Sequence, residues 1–182
     1  GRKWAIRVHT LLRGVGSGEL LAYCHRDMIC LEHGQEYTPN VQVRAAHISS
    51  AGSQKYWPKP TLLEDRDLAA QVVELARRSF AAVWPHAPRG PYGPHRDAEL
   101  CHVFGLDVVT DEDGKAWLIE VNSYPAISSG TMEHVDPAVY TALVRDVMRL
   151  VVLPKVDGAD PTEGGFMLLD VDSCTPVCEG KK

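Results

Sequence analysis

Asp107 and Glu120 are the two residues whose types and spacing first suggest chemistry. They fall on two predicted strands, Cys101–Thr110 and Ala116–Asn122, and the Asp113–Gly114 pair between the strands is a strong signal for a hairpin turn. A two-residue turn there places Asp107 directly opposite Glu120. Opposed carboxylates on antiparallel strands have Cβ atoms about 4.5–5.5 Å apart and destabilise each other. We therefore expect a cation beside this pair.

The neighbours of the two acids indicate which cation that could be. Asn122 lies two residues beyond Glu120 and shares its face of the strand, while Gly105 in the opposite position leaves room. The same register pairs Val109 with Leu118, so apolar side chains flank the acids. Two carboxylates and one amide oxygen, with no Cys or His nearby, suit a hard ion such as Mg²⁺. The alternative is that both acids are salt-bridged to Lys or Arg at a sheet surface, and a three-residue turn would separate them.

Two arginines lie on another predicted hairpin, near the start of the chain. The strand Trp4–Leu12 alternates with a period of two and carries Arg7 on the face opposite its aliphatic residues. A glycine-rich turn follows, and Leu20–Leu31 returns as one strand with Arg26 in its middle. The turn precedes a strand rather than a helix, which favours a hairpin turn over a phosphate loop. Each arginine is either solvated or salt-bridged, or it clamps phosphoryl or carboxylate oxygens near a magnesium site.

The remaining pattern predicts helices that flank an antiparallel sheet, an α+β fold. A capping box at Thr61–Glu64 predicts the start of an amphipathic helix that runs to about Val83. Asp136–Pro137 predicts the start of a last helix. We expect one domain over residues 1–152. Residues 153–182, where Gly, Pro and charged residues dominate, are expected to be an extended or partly disordered segment.

Composition excludes several classes of protein. The 182 residues correspond to one domain or to a piece of a larger one, and a net charge of −5 argues against nucleic acid as the main partner. No apolar run approaches the roughly 20 residues that cross a bilayer, so we expect no membrane partner. The five cysteines match no zinc template. Free thiols in a reducing compartment are the simpler interpretation, with a metal site or a disulfide as the alternative.

Five short motifs span most of the chain. They are GRKWAIR at residues 1–7, YCHRD at 23–27, HISS at 47–50, FGLDVV at 104–109 and WLIEVNSYP at 117–125. In order and spacing they resemble landmarks of the tubulin–tyrosine ligase-like family, and the resemblance runs from Gly1 to about Val152. That family belongs to the ATP-grasp superfamily. The resemblance therefore implies the C-terminal portion of an ATP-grasp catalytic domain.

The resemblance also implies a role for each candidate residue. Asp107, Glu120 and Asn122 match the family's magnesium ligands, in agreement with the register argument. Arg7 and Arg26 match catalytic arginines that line the phosphate and substrate-carboxylate site. The residues implied to contact ATP are Lys3, Ser49, Ser50, Asp107 and Glu120.

The implied activity is that of an ATP- and Mg²⁺-dependent ligase. Such an enzyme activates a carboxylate as an acyl phosphate and joins it to a free amino acid. The implied acceptor is a protein, with tubulin expected, as for the tyrosine ligases, polyglutamylases and glycylases of the family. The implied location is the cytoplasm, at the cytoskeleton or in a cilium.

Three positions depart from the family pattern. Ala5 replaces an acidic residue on the nucleotide side, Ser50 replaces an asparagine, and Tyr140 stands near the place where many glutamate-adding members have a lysine. Because the resemblance begins in the middle of the family's pattern, we expect the chain to be incomplete and inactive alone. Two alternatives stay open. One is a non-catalytic relative that binds microtubules or another protein, and the other is a different ATP-grasp peptide ligase with a small-molecule substrate.

Overall fold

A curled antiparallel sheet is built around one long strand, β1 (Arg2–Val15), in the computed structural model. The structure describes residues 1–15, 19–43, 46–47, 61–87, 100–125, 127 and 137–172. The other strands of this part are β2 (Glu19–His25), β3 (Ile29–Glu36), β4 (Thr61–Leu62), β5 (Cys101–Thr110), β6 (Ala116–Asn122) and β7 (Phe166–Leu168). One edge of β1 pairs with β3 and then β2, and its other edge pairs with β5. The strand that carries Arg7 therefore lies at the centre of the sheet.

The single strand predicted over Leu20–Leu31 is wrong, because the chain bends between β2 and β3. The Asp27 N–H donates to His25 Nδ1 at 3.2 Å within this bend. The Arg26 N–H donates to the carbonyl of Gly165 at 2.9 Å instead of to a neighbouring strand. The bend lets two short strands follow the two halves of β1.

The predicted amphipathic helix is confirmed as α1 (Arg66–Val83), but its start differs from the prediction. Thr61–Glu64 is not a capping box, since Thr61–Leu62 forms β4. Asp65 is the cap, and its Oδ1 accepts the N–H groups of Asp67 and Leu68, both at 3.0 Å. The buried face of α1 consists of Leu68, Val72, Ala76, Phe80 and Ala81.

Helices cover both faces of the sheet. One hydrophobic cluster joins Val8 and Leu106 of the sheet to Val72 of α1. On the opposite face a second cluster joins Leu11 to Tyr140 of α2 (Pro137–Val147). The cluster continues along the π-helical residues Met148–Val152, which precede α3 (Leu153–Val156). The described residues thus confirm an α+β architecture, and within them no helix is both long and apolar enough to cross a membrane.

After residue 152 the chain contains α3 and β7, and it is described as far as residue 172. The sequence predicted an extended or partly disordered segment over residues 153–182, and this prediction did not include the helix or the strand. Pro154 falls in the first turn of α3, which follows the π-helical residues Met148–Val152 without a break. β7 pairs with β2, and Phe166 is 1% exposed in the second cluster. The sequence pattern missed this strand because it is short and lies between Gly and charged residues. Residues 173–182 lie outside the described part.

Candidate functional site

The β5–β6 hairpin ends in a three-residue loop rather than the predicted two-residue turn. The last ladder pair is Thr110 with Ala116, and beyond it the Asp111 N–H donates to the Lys115 carbonyl at 3.0 Å, which leaves residues 112–114 as the loop. Gly114 has a φ of 76°, a left-handed conformation that glycine adopts without steric cost. The Asp111 carboxylate accepts the N–H of Lys115 at 2.9 Å and so closes the loop. Local hydrogen bonding of an acidic side chain therefore favours the longer loop.

A β-bulge then restores the pairing of the two acids. Leu118 pairs with Val108 rather than with the predicted Val109. One extra residue of β6 has no partner beyond that pair, and Asp107 then pairs with Glu120. The predicted opposition of the acids is confirmed, although the register beside the loop is wrong. The loop and the bulge each shift the register by one residue, and the shifts cancel.

Arg7 is held against Asp107 across the β1–β5 pair. The two residues are direct partners in register, and the guanidinium binds both carboxylate oxygens, Nε to Oδ1 and Nη2 to Oδ2, the latter at 2.8 Å. Their side chains are only 19% and 16% exposed. The hydrogen bond to Asp107 raises the pKa of Arg7, although burial opposes the shift. Asp107 therefore forms a salt bridge with an arginine, as in the alternative to a metal site, and that arginine is itself a predicted site residue.

Asn122 connects the two carboxylates. Its Nδ2 donates to Asp107 Oδ2 at 3.1 Å and to Glu120 Oε1 at 3.0 Å. The three side chains predicted to converge therefore do so on one face of the hairpin. Asp107 receives charge-assisted bonds from Arg7 on one side and the amide donor on the other, whereas Glu120 is exposed.

The ligand types fit a hard divalent cation. Two carboxylates and one amide meet, and a half-turn of the Asn122 amide would present its oxygen in place of its nitrogen. Among the described residues, no group of three or more His, Cys, Asp or Glu side chains could hold a metal. A Mg²⁺ ion at these three residues would need water or phosphate oxygens to complete its shell, as is common for that ion.

His9 and Tyr140 lie near Arg7 and were not predicted as site residues. His9 is two residues from Arg7 on the same face of β1, is 2% exposed, and contacts Tyr140 edge to face, with 6.1 Å between ring centroids. Burial lowers the pKa of His9 to about 4, and the positive charge of Arg7 adds to the effect. A neutral imidazole thus lies behind the ion pair. The strand alternation that placed Arg7 on this face could have identified His9 as well.

The structure does not bring Arg26 to the carboxylate pair. Arg26 is exposed after β2, and its Nη2 donates to the carbonyl of Gly164 at 2.8 Å. Gly164 precedes β7, which pairs with β2, whereas the β5–β6 hairpin lies along the other edge of β1. The described contacts therefore bring Arg7 to the acids, and the predicted role of Arg26 at the same site stays a prediction.

Besides the two acids, Lys3 is the residue predicted to contact ATP that lies within the described part of the chain. The Lys3 ammonium lies over the ring of Tyr37, 4.4 Å from its centroid. Ser49 and Ser50 lie outside the described residues. Their predicted roles stay predictions.

A buried polar cluster around Asp146 was missed by sequence reasoning. Asp146 is 2% exposed, and its carboxylate accepts Gly165 N–H at 2.8 Å, His25 Nε2–H at 3.3 Å and Arg145 Nε–H at 3.0 Å. His25 Nδ1 accepts the Asp27 N–H, so Nε2 carries the proton. Burial by itself would raise the pKa of Asp146, but the three hydrogen bonds outweigh burial and lower it. The cluster joins α2, β2 and the segment before β7, which are far apart in sequence.

Comparison with known proteins identifies the family of the chain. The sequence profile of the tubulin-tyrosine ligase family matches residues 53–159, more than half of the chain, so the chain belongs to that family. The expected family membership is thereby confirmed.

Curated relatives extend the comparison. A rat protein named "Probable tubulin polyglutamylase TTLL9" is 31% identical over 185 residues, covering 93% of this chain and 39% of the relative. The "Tubulin polyglutamylase ttll-4" of Caenorhabditis elegans is 44% identical over 87 residues, covering 46% of this chain and 13% of the relative. A Caenorhabditis briggsae protein of the same name is 44% identical over 52 residues, which are 28% of this chain and 8% of the relative. The chain thus spans well under half the length of the curated relatives it matches.

Proposed function

We propose that this chain carries part of the active site of an ATP- and Mg²⁺-dependent ligase with an ATP-grasp fold. The enzyme joins a free amino acid to a protein carboxylate through an acyl phosphate. The observation that carries the proposal is the opposed Asp107–Glu120 pair, connected by Asn122 and bound by Arg7, in a member of the tubulin-tyrosine ligase family. The names of the relatives support tubulin as the acceptor, glutamate as the amino acid added and the cytoskeleton as the location.

The residues of this chain have distinct tasks in that reaction. Asp107, Glu120 and Asn122 would hold the metal ion, and Mg²⁺ bound there would neutralise phosphate charge. Arg7 stays protonated at any working pH, and two bonds fix its planar fork, so it is preorganised to stabilise negative charge on a transferring phosphoryl group. Arg26 is exposed on the far side of β1 and is proposed to bind an acidic group of the substrate.

Of the further nucleotide contacts, Lys3 lies on β1 four residues before Arg7, and Ser49 and Ser50 lie outside the described part. Lys3, Ser49 and Ser50 are proposed to contact ATP. The chain spans 39% of its rat relative, and we propose that the remainder of the ATP pocket comes from protein outside these 182 residues and that the chain alone is inactive.

The test is ATP-dependent incorporation of labelled amino acids into tubulin by the full-length protein. Asp107→Asn and Glu120→Gln each remove a ligand charge and should lower incorporation by about 100-fold or more. Glu112→Gln removes an exposed carboxylate from the loop of the same hairpin and should leave incorporation near wild type. Full activity in both site variants would overturn the proposed role of the acids. Glutamate, tyrosine and glycine are tested in parallel to identify the donor.

A non-catalytic binding module is the second candidate. It is favoured by the Arg7–Asp107 ion pair, which already occupies both oxygens of one proposed ligand, and by Ala5, which is 8% exposed where the family pattern has an acid. No incorporation by wild type with any donor, together with microtubule co-sedimentation that Asp107→Asn leaves unchanged, would establish this candidate instead of the ligase.

A further inference from the structure

Gly105 forms the floor of the site, on the middle one of three neighbouring strands. It is buried on β5, with His9 of β1 opposite on one edge and Asn122 of β6 opposite on the other. It precedes Asp107 by two residues and therefore lies on the same face of the sheet. Anything attached to its Cα would project among the groups that bind Asp107.

The space above Gly105 is occupied by two other residues. A Cβ at this position would lie 2.9 Å from the Cβ of Pro125, 3.0 Å from the Cδ of Arg7 and 3.4 Å from its Nε. The Arg7 stem thus passes directly over the glycine on its way to the Asp107 carboxylate, and the proline ring bounds the space on the other side. The sequence predicted room beside Asn122, and Arg7 and Pro125 occupy that room.

The backbone does not explain why a glycine is needed here. Among the described glycines, positive φ values occur only at Gly114, Gly158 and Gly164. Gly105 has strand geometry that any residue can adopt. Glycine in a strand interior is unfavourable and often marks a site where another group approaches closely. The close approach is that of the Arg7 side chain.

We infer that Gly105 is a positioning residue, whose missing side chain creates a slot that holds the Arg7 guanidinium on Asp107. Pro125 is the rigid wall of this slot. A methyl group at residue 105 would be caught between a proline ring that cannot change rotamer and a flexible arginine stem. Arg7 would therefore yield, and its Nε would move off Asp107 Oδ1. A loss of activity caused by this displacement of Arg7 rests on the proposed function, whereas the contact between Gly105 and Arg7 does not.

The test follows the Arg7 Nε–H group by ¹⁵N NMR in the full chain, without nucleotide or substrate. The signal is the one absent from the Arg7→Lys spectrum. Its hydrogen exchange is slowed in wild type by the charge-assisted bond to Asp107, and Gly105→Ala should speed the exchange by about tenfold or more. The double variant Gly105→Ala/Pro125→Gly removes the wall, so the new methyl can shift away from Arg7 and most of the protection should return.

Two further variants separate this effect from general loss of stability. Gly158→Ala strains a left-handed residue that has open space around it, so it lowers stability without approaching Arg7. It should leave the Arg7 signal protected, as should Pro125→Gly alone. The inference is overturned if Gly105→Ala keeps full protection, if the double variant stays as unprotected as the single one, or if Gly158→Ala loses the signal too. Because the readout needs no activity, failure of the proposed ligase function would leave this result unaffected.

Discussion

Asp107 belongs to two pairs at once, and this explains how two acids can face each other in a folded sheet. Glu120 opposite it would be destabilising on charge grounds alone. The Arg7 guanidinium neutralises Asp107, and the Asn122 amide donates to both acids. The cation that the sequence pattern required is therefore supplied in part by the chain itself. A divalent ion would add to this arrangement rather than create it.

Arg7 and Arg26 should respond differently to the same conservative change. Arg7→Lys replaces a two-bond fork with a point charge and should lower the free energy of unfolding by about 1–2 kcal/mol. Arg26→Lys affects only an exposed hydrogen bond to a carbonyl and should change the free energy of unfolding by less than about 0.5 kcal/mol. Urea unfolding of the two variants measures the difference. Equal effects would mean that the Arg7–Asp107 pair is not the tighter contact.

His9 should make stability depend on pH in the mildly acidic range. In the folded protein its pKa is lowered to about 4, whereas an unfolded histidine titrates near 6.5, so the unfolded state binds the proton first. The contribution of neutral His9 to the free energy of unfolding is complete above about pH 6.5. It is lost as pH falls towards 4, by on the order of 3 kcal/mol in total. Urea unfolding between pH 7 and 4 measures this slope.

The matched comparison for this pH effect uses two histidine substitutions. His9→Phe keeps an aromatic ring beside Tyr140 but removes the titrating group, so it should flatten the slope. His86→Phe changes an exposed histidine at the end of the helical turn after α1 and should leave the slope intact. A slope that is the same in all three proteins would show that His9 does not bind the proton on unfolding.

At the scale of elements, the β5–β6 hairpin is held to the rest of the molecule by a side chain from the opposite layer. Gln71 of α1 accepts the Ala116 N–H at 3.0 Å and donates to the Gly114 carbonyl at 3.3 Å. The helix therefore fixes the loop end of the hairpin, while β1 fixes the end that carries the acids. The hairpin is supported at both ends by contacts outside itself.

The Asp146 cluster should decide whether the segment with β7 stays on the sheet. Asp146→Ala leaves the Gly165 N–H and His25 Nε2–H without their buried acceptor and should lower the free energy of unfolding by about 2–4 kcal/mol. Amide exchange in β7 should accelerate more than exchange in β5. Arg145→Ala removes only the half-exposed partner and is the control. Uniform acceleration across the sheet would contradict a local role.

At the scale of the whole molecule, the sheet separates two hydrophobic clusters. β1 contributes to both, since Ile6 and Val8 face α1 while Leu11 faces the helical segment from Tyr140 to Val152. A change that loosens the helices on one face of the sheet should therefore expose the hydrophobic cluster on that face before the cluster on the other face. Cys24 in the cluster beneath α1 and Cys101 at the surface report on the α1 layer.

Cys24 and Cys101 should react with thiol reagents at very different rates. Cys24 is fully buried, and burial raises its pKa to about 12, so it is protonated and inaccessible in the folded state. Cys101 is exposed at the start of β5. At pH 8 we expect Cys101 to be labelled at least about 100-fold faster than Cys24, as measured by peptide mass spectrometry. Comparable rates without denaturant would mean that the α1 layer opens readily.

The sequence by itself determined the elements whose signals are local. The alternation of β1, the amphipathic face of α1, and the two strands around Asp113–Gly114 follow from the spacing of apolar residues over a few turns or strand repeats. The family resemblance likewise depends on short motifs that can be read one at a time. These features need no knowledge of what packs against them, so the sequence suffices.

The tertiary structure alone decided the register of the site and the partners of its charges. Whether a two-residue turn or a loop plus a bulge brings Asp107 to Glu120 depends on Asp111, Gln71 and the β1–β5 pairing together. Arg26 donates to the carbonyl of Gly164, a partner that lies 138 residues further along the chain. Pairings of that separation leave no local pattern, because they depend on how complete layers pack rather than on the propensities of neighbouring residues.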